Sequence, residues 1–394
     1  MMDYDSLLNQ TALAIPPSGI RRFFDIAAEM KDVISLSVGE PDFPTPWHIR
    51  DTAIESLQKG HTGYSPNRGF TALCREICSY YNRKFGLDYH FKTDVVVTVG
   101  GSEAIDLAIR TLVNPGDEVL VPQPSFVCYA PIARLAGAKV IPIVTRREDE
   151  FRLTAEALQA AITPRTRLLV LPYPNNPTGA VMRRKHLEEI AEVLRGTDIL
   201  VLSDEIYSEL TYNGIPHVSI ASLEGMKERT VVVNGFSKSY AMTGWRLGYA
   251  LGPKEIISVM TKVHQYAIMC APTTSQHAAI EALRNGDDDI VKMRDEYDMR
   301  RRLIVRGFRE LGLDCFEPEG AFYVFPSISS TGLTSEEFCE KLLYQKHVAV
   351  VPGNAFGDCG EGFIRVSYAY STSHITEALR RMEQFLREEK KHRS

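Results

Sequence analysis

The sequence lacks the features that mark several large classes of protein. Its 394 residues include only two tryptophans, and its seven cysteines form no CxxC pair or other zinc-ligand spacing. No apolar run approaches the roughly 20 residues that span a bilayer. The 45 lysines and arginines nearly balance the 50 aspartates and glutamates, so no strong positive field is available for a nucleic-acid backbone. We therefore expect no metal site, no membrane partner and no nucleic-acid partner.

The N-terminal residues and the cysteines point to one cellular compartment. Residues 1–10 contain Asp3 and Asp5, with neither a basic region nor an apolar stretch, so a secretory signal is not expected. Scattered cysteines in odd number fit reduced and mostly buried thiols. A cytoplasmic location is the resulting expectation.

What is present is the composition and pattern of a globular α/β protein. Hydrophobic residues make up 44% of the chain and charged residues 24%. Apolar runs typical of strands buried on both faces alternate with amphipathic stretches typical of helices, which predicts a mostly parallel central sheet flanked by helices. The strand-like runs lie at 94–99, 118–121, 167–171, 199–203 and 230–234, and the helical stretches at 102–112, 126–136, 183–195 and 254–264.

The pattern changes in the last quarter of the chain. A long charged helical stretch at 288–311 leads to strand-like runs at 321–325, 348–351 and 363–367 and then to a closing helix. This order is typical of a smaller α+β domain. The predicted division is a large domain at 47–290, a small C-terminal domain at 291–394, and an N-terminal segment, 1–46, that joins the small domain.

Lys238 stands in a loop whose composition suits a reactive amine. It follows the strand-like run 230–234, so it reaches the carboxyl edge of the sheet, where open α/β sheets bind ligands. A lysine amine can form a Schiff base with a carbonyl cofactor if its surroundings lower its pKa. Ser237 and Arg246 lie in the same loop and suit an anion such as a phosphate. An ordinary surface lysine is the alternative.

Asp204 ends another strand-like run, where an ionised carboxylate needs a cation or strong donors beside it. A cationic ring nitrogen of a ligand would be such a partner. Tyr207 can face the same ligand only if the chain turns after Asp204. The alternative for Asp204 is a helix cap.

Three further positions could bind parts of the same ligand. Gly101 and Ser102 open a helical stretch directly after a strand, which creates an anion site at the helix N-terminus, although the same residues also suit a plain turn. Because neither GxGxxG nor a Walker loop is present, the sequence disfavours a dinucleotide or a nucleoside triphosphate. Asn176 follows a strand and offers an amide, with an Asn-Pro turn as the alternative.

An aromatic and a guanidinium complete the set. Phe126, at the start of a helical stretch, could stack on a flat ring or belong to the core. Arg365 lies inside the strand-like run 363–367, where its guanidinium needs an acceptor. A substrate carboxylate and a structural ion pair would both supply one.

Taken together, these residues resemble an aminotransferase of the aspartate aminotransferase superfamily, the fold-type-I enzymes that use pyridoxal 5′-phosphate (PLP). The resemblance runs nearly end to end. In order, the motifs are Ser37-Val-Gly-Glu-Pro-Asp42, Gly63-Tyr64, Asn176-Pro-Thr-Gly179, Ser203-Asp-Glu-Ile-Tyr207, Ser237-Lys238, Pro352-Gly-Asn-Ala-Phe-Gly357 and Arg365.

The resemblance implies a role for each position. Lys238 would form the internal aldimine and move the substrate proton, and Asp204 would pair with the pyridine nitrogen. Tyr207 and Asn176 would bind the ring 3′-oxygen, with Phe126 stacked on the ring. The phosphate would be bound by Gly101, Ser102, Ser237, Arg246 and, from a second subunit, Tyr64. Arg365, Asn176 and the backbone of Gly39 would bind the substrate carboxylate.

The resemblance further implies a homodimer and ping-pong kinetics. It also implies that a mobile strip closes over the site, and the segment that resembles this strip is Pro17-Ser-Gly-Ile-Arg-Arg22. The stretches 237–248, 264–266 and 269–272 resemble a prokaryotic branch with aromatic and broad-specificity enzymes, beside others that act on acetylated diaminopimelate. We identify no arginine that would bind a dicarboxylate side chain from the partner subunit. The sequence therefore favours an aromatic or neutral L-amino acid as donor and 2-oxoglutarate as acceptor.

Other activities remain open at this point. A PLP-dependent C–S β-lyase shares Lys238, Asp204 and Arg365, and aspartate or N-acetyl-diaminopimelate could be the donor. A non-enzymatic regulator with an aminotransferase-like domain is disfavoured because the first 35 residues are too short to add a DNA-binding module. A nicotinamide dehydrogenase is disfavoured by the missing fingerprint.

Overall fold

Twelve strands in three sheets form the frame of the part of the chain that the structure describes. The structure is a computed structural model and describes residues 2, 4–17, 19, 26 and 30–393, with only the backbone at 392 and 393. The strands are β1 (Ile34–Ser35), β2 (Val95–Thr98), β3 (Glu118–Gln123), β4 (Lys139–Val144), β5 (Thr166–Leu171), β6 (Leu200–Asp204), β7 (Thr230–Gly235), β8 (Gly248–Leu251), β9 (Tyr323–Val324), β10 (Val348–Ala349), β11 (Val351–Pro352) and β12 (Ile364–Ser367).

The helices cover these sheets. They are α1 (Tyr4–Leu7), α2 (Gln10–Leu13), α3 (Trp47–Gln58), α4 (Thr71–Phe85), α5 (Gly100–Leu112), α6 (Tyr129–Leu135), α7 (Ala155–Ala161), α8 (Arg184–Leu194), α9 (Lys254–Ala267), α10 (Thr273–Asn285), α11 (Asp287–Glu310), α12 (Ser335–Lys346) and α13 (Thr372–Arg393). The helix predicted from 126 begins three residues later, at Tyr129, because Phe126 to Cys128 form a turn instead. In the described residues, no helix combines the length and the apolar character needed to cross a membrane.

The main sheet has seven strands in the order β2-β8-β7-β6-β5-β3-β4. Every neighbouring pair is parallel except the two pairs that β8 forms. The carboxyl ends of β5, β6 and β7 therefore lie at one edge of the sheet. The predicted mostly parallel α/β sheet is confirmed, and β8 is an antiparallel strand that the sequence analysis did not identify.

Valine runs form the centre of this sheet because both of its faces are buried. In β2, Val95 and Val97 pack on one side with α3, α4 and α10, whereas Val96 packs on the other side with α5 and α9. Alternate side chains of a strand point to opposite faces. A continuous apolar run is thus what a strand between two helical layers requires.

The two smaller sheets share a separate hydrophobic core. β1 pairs with β10, while β12 lies between β11 and β9 in an antiparallel sheet. The apolar side chains of β1, β9, β10 and β12 pack with those of α11, α12 and α13, whereas Val351 of β11 packs in the core beside β3 and β5. α11 runs without a break through the predicted boundary at 290/291, and the proposed domain limits stay a prediction. Of the predicted strip over the site, residues 18 and 20–22 lie outside the described residues.

Candidate active site

The N-terminus of α5 opens onto the carboxyl edge of the main sheet. α5 begins at Gly100, whose φ is +78°, and the preceding Val99 makes no side-chain cap. The amides of this first turn therefore carry the positive end of the helix dipole without a partner from the cap residue. Gly101 and Ser102 belong to this turn, and Ser102 is exposed.

Close packing of two other segments fixes this turn. A Cβ at Gly248 would lie 2.5 Å from the nitrogen of Gly101, so only glycine allows β8 to touch the helix here. A Cβ at Gly100 would lie 2.6 Å from Nη2 of Arg246, which places the guanidinium directly against the turn. A helix N-terminus with a guanidinium beside it is an anion site.

Asp204 is the last residue of β6 and is almost fully buried. Its Oδ2 accepts a hydrogen bond of 2.7 Å from the hydroxyl of Tyr129, and its Oδ1 accepts one of 3.2 Å from the amide of Ile206. Burial raises the pKa of this carboxyl, and the Tyr129 hydrogen bond opposes the rise. The chain turns after Asp204 without starting a described helix, so the helix-cap alternative does not hold. A cationic ligand atom beside it would stabilise the ionised form.

Lys238 projects from the loop after β7 toward the same space. Its Nζ donates a hydrogen bond of 2.7 Å to the carbonyl of Gly39. Burial lowers the pKa of this amine to about 8, helped by the positive charges of Arg365 and Arg246, whereas Glu40 and Asp204 oppose the shift. Because a sizeable fraction of the amine is neutral near pH 8, Lys238 can act as a nucleophile. The surface-lysine alternative is thus wrong.

Arg365 is a buried cation without an anion among the described residues. Its Nη1 donates to Oδ1 of Asn176 at 3.1 Å, its Nη2 donates to the carbonyl of Ser37, and its Nε has no partner. No described carboxylate forms a salt bridge with it, so the structural ion pair is not found there. A guanidinium buried at 2% exposure requires an acceptor of opposite charge, which a ligand carboxylate supplies.

Tyr207 and Phe126 supply aromatic groups to the site. The hydroxyls of Tyr207 and Tyr323 are 2.8 Å apart, and both side chains are buried. Phe126 is half-buried, with its ring edge-on to Tyr129 at a centroid distance of 6.1 Å. The Phe126 ring packs against the hydrophobic core on one side and lines the cavity of the site on the other.

One cavity of about 270 Å³ joins these groups. Eleven of the twelve predicted site residues line it: Gly39, Gly101, Ser102, Phe126, Asn176, Asp204, Tyr207, Ser237, Lys238, Arg246 and Arg365. The exception is Tyr64, whose side chain is 84% exposed and does not line the cavity. The structure thus brings together residues from seven separate segments of the chain.

The sequence analysis missed several lining residues. Tyr129, Tyr323 and Thr243 line the cavity with polar groups, and Ile105 and Ile206 add apolar surface. Tyr129 stands 75 positions from Asp204, and Tyr323 stands 116 positions from Tyr207. Tyrosines in apolar runs look like core residues, so no local pattern indicated these contacts.

The charged and reactive groups that line the cavity fit PLP. An anion site at α5 suits the phosphate, and Asp204 offers a carboxylate where a protonated ring nitrogen needs one. Lys238 offers an amine of lowered pKa for the aldehyde, while Arg365 is left for a second carboxylate. This donor set contains a partner for each charged or reactive group of the cofactor and of an amino acid.

Comparisons with known proteins give the family. Residues 31–382 match the model of the family "Aminotransferase class I and II". The Bacillus subtilis protein YugH is 51% identical over 381 residues, covering 97% of this chain and 98% of its own. An aspartate aminotransferase of Pyrococcus abyssi is 47% identical, covering 95% of this chain and 97% of its own. The crystal structure of an aromatic aminotransferase from Pyrococcus horikoshii superposes with a TM-score of 0.90 at 45% identity, covering 94% and 99% of the two chains.

These matches extend over nearly the whole chain and agree with the α/β fold and with the contents of the cavity. Sequence identity of 45% to 51% over more than nine-tenths of the chain is far above what shared fold alone produces. The chain therefore belongs to the class I and II aminotransferases, PLP-dependent enzymes that exchange amino groups between amino acids and keto acids.

Proposed function

We propose that this aminotransferase takes its amino group from an aromatic or neutral L-amino acid and passes it to 2-oxoglutarate in a ping-pong reaction. One observation carries the donor proposal. Four charged residues of the described part of the chain line the cavity, namely Lys238, Asp204, Arg246 and Arg365. When the cofactor engages the first three, Arg365 alone remains for the substrate, and it matches the α-carboxylate. Among the residues that the structure describes, no second cation lines the cavity for an acidic side chain.

The rest of the lining supports the same proposal. Aromatic rings of Phe126, Tyr129, Tyr207 and Tyr323 face the cavity, and its solvent-facing surface is mostly carbon. Apolar surface favours a donor that buries an apolar side chain. Relatives include both aspartate and aromatic aminotransferases, so the lining, rather than the family, carries the preference.

The proposed roles follow from the chemistry of each group. When bound, PLP serves as the electron sink for the pair of electrons left as the α-proton departs. Lys238 would hold the cofactor through its amine, and the same amine, once free, would take the α-proton and return it. Asp204 would pair with the ring nitrogen, Tyr207 and Asn176 would bind the ring oxygen, and Arg365 would orient the substrate carboxylate.

A spectral titration of the purified enzyme tests the donor. We expect L-phenylalanine to bleach the visible band of the lysine-bound cofactor at lower concentration than L-aspartate, with 2-oxoglutarate restoring it. If aspartate is the better donor by tenfold or more, the proposal of an apolar donor is wrong. Release of ammonia and a thiol from cystathionine, without amino transfer, would instead indicate a C–S β-lyase.

Tyr64 supports the proposal of a homodimer. Its side chain is 84% exposed, and Tyr266 nearby is 85% exposed. The two stretches are joined by a hydrogen bond of 2.8 Å from Asn67 to the carbonyl of Met269, itself 46% exposed. Exposed large apolar side chains on neighbouring stretches are typical of a protein interface. We propose that a second copy covers it and that Tyr64 reaches the phosphate in the partner's site.

A subunit-mixing experiment tests this arrangement. Tyr64→Phe removes one hydrogen bond to a charged group, so we expect cofactor affinity to fall about tenfold or more. Tyr266→Phe is the matched control and should leave affinity unchanged. Mixed dimers combine a Tyr64→Phe subunit with a Lys238→Ala subunit. If Tyr64 acts across the interface, the site of the first subunit has its own Lys238 and receives Tyr64 from the second, so that one site is complete. Turnover at low cofactor concentration should then exceed that of both parents; a mixture no better than its parents would place Tyr64 in its own subunit's site.

A further inference from the structure

Tyr323 touches three parts of the candidate site. It lies in β9 at 1% exposure, and its hydroxyl is 2.8 Å from that of Tyr207. The guanidinium carbon of Arg365 lies 4.7 Å from the centroid of its ring. A Cβ at Gly39 would lie 2.3 Å from its hydroxyl, so the backbone that accepts the Lys238 hydrogen bond packs against it.

We propose that Tyr323 is a positioning residue that acts on both ends of the site: its hydroxyl orients Tyr207 toward the cofactor, and its ring orients Arg365 toward the substrate carboxylate. This inference rests on the proposed function in one respect, since it takes the cofactor to bind with its ring oxygen at Tyr207. Tyr323 thereby links cofactor binding to substrate binding.

The hydroxyl pair has one consistent direction when the cofactor is bound. Each phenol carries a single proton. If Tyr207 donates its proton to the ring oxygen, the contact between the two tyrosines requires Tyr323 to donate to the Tyr207 oxygen. Donation into a hydroxyl polarises the O–H bond and strengthens its own donation, so Tyr323 makes Tyr207 the better donor.

The face of the Tyr323 ring contacts the guanidinium of Arg365. The guanidinium carbon lies over the rings of Tyr323, at 4.7 Å from the centroid, and Phe356, at 4.9 Å. Its Nη1 and Nη2 donate hydrogen bonds to protein oxygens, while the buried Nε has no hydrogen-bond partner among the described residues. Two aromatic faces and two hydrogen bonds fix the plane of the guanidinium, which a fork-shaped contact with a carboxylate requires.

Two variants separate the hydroxyl from the ring. The charged groups that face the tyrosine pair are Arg365 from β12 and Asp204 from β6, and both variants keep them. Tyr323→Phe removes the hydroxyl and keeps the ring. Tyr323→Leu removes both. The measurements are made on the holoenzyme without turnover: the pH midpoint of the visible band of the lysine-bound cofactor, and the affinity for 3-phenylpropionate, a carboxylate that cannot react.

For Tyr323→Phe we expect the pH midpoint to rise by about half a unit to one unit, because weaker donation by Tyr207 destabilises the deprotonated form. Affinity for 3-phenylpropionate should stay within about twofold, because the ring remains. For Tyr323→Leu we expect the same rise in midpoint together with a loss of affinity of about fivefold or more.

Two controls make the result specific. Tyr212→Phe removes a buried hydroxyl that bonds to the carbonyl of Ala321 outside the cavity, where Tyr368 also donates, and should leave both measurements unchanged. In a Tyr207→Phe background, Tyr323→Phe should add no further shift of the midpoint.

An unchanged midpoint in Tyr323→Phe, or a full additional shift in the Tyr207→Phe background, overturns the role of the hydroxyl. Wild-type affinity for 3-phenylpropionate in Tyr323→Leu overturns the role of the ring. A wild-type protein that shows no visible band with added cofactor contradicts the proposed function itself, a result that differs from all of these.

Discussion

Lys238→Ala is expected to lower turnover by about 10⁴-fold while the protein still folds and binds PLP without a covalent bond. The variant loses the nucleophile and the base at once, and a positioned base alone contributes up to about 10⁴-fold. Its loss leaves the anion site at α5 and the contacts of Asp204 in place. Borohydride reduction followed by peptide mass analysis should find the cofactor on Lys238 in the wild type and on no lysine in the variant.

Lys254→Ala is the matched control for this experiment, since Lys254 is an exposed lysine on α9 that forms a salt bridge with the neighbouring Glu255. The lowered pKa of Lys238 adds a pH dependence. Below a pKa of about 8 the neutral fraction of the amine changes about tenfold per pH unit. Attachment of PLP to cofactor-free protein should therefore accelerate with pH up to about 8 and level off above it. Near-normal turnover in Lys238→Ala, or pH-independent attachment, would remove the assignment.

Asp204→Asn is expected to slow the amino-acid half-reaction by about two to four orders of magnitude, with a smaller loss of cofactor affinity. Asparagine keeps the shape and can keep the hydrogen bond with Tyr129, yet it lacks the charge that holds a ring nitrogen protonated. Electrostatic groups aimed at charge that develops in the transition state contribute about 10²- to 10³-fold each, and a buried charge contributes most. Stopped-flow measurement of the visible band after mixing with L-phenylalanine gives the rate.

Tyr129→Phe separates the charge from its hydrogen bond. This variant keeps the Asp204 carboxylate and removes its 2.7 Å hydrogen bond with Tyr129. That hydrogen bond opposes the rise in the Asp204 pKa that burial causes. We expect a rate loss of about tenfold, from a carboxyl whose pKa rises further. Should both variants slow the reaction equally, the hydrogen bond rather than the charge would be the essential feature, and the electron-sink argument for Asp204 would fail.

The positions along the chain of several strands and of the chemical groups could be predicted because they depend on short stretches of sequence. Valine and leucine runs marked β2, β5, β6 and β7, and polar residues directly after them marked the edge where ligands bind. Lys238 and Asp204 follow β7 and end β6 for this reason. Most of the candidate site could therefore be predicted from residues that lie close together in the sequence.

The contacts between distant segments could not be predicted in the same way. β8 has the composition of an ordinary strand, and its antiparallel direction depends on the path of the chain between Gly235 and Gly248. The partners of Asp204 and Tyr207 are tyrosines of other elements, whose hydroxyls look no different from those of core tyrosines in the sequence. Packing chooses which tyrosine reaches which partner, and that choice has no local pattern.

The contact of Gly248 with the first turn of α5 has a thermodynamic consequence. It brings a strand, a helix and the Arg246 loop, which are separate in sequence, to one point where positive groups converge. Without an anion these groups repel one another; with a phosphate between them they attract it together. A ligand that binds only the folded chain shifts unfolding by mass action, so the melting temperature becomes a function of free cofactor concentration. Protein that has lost its cofactor is thus a less stable molecule as well as an inactive one.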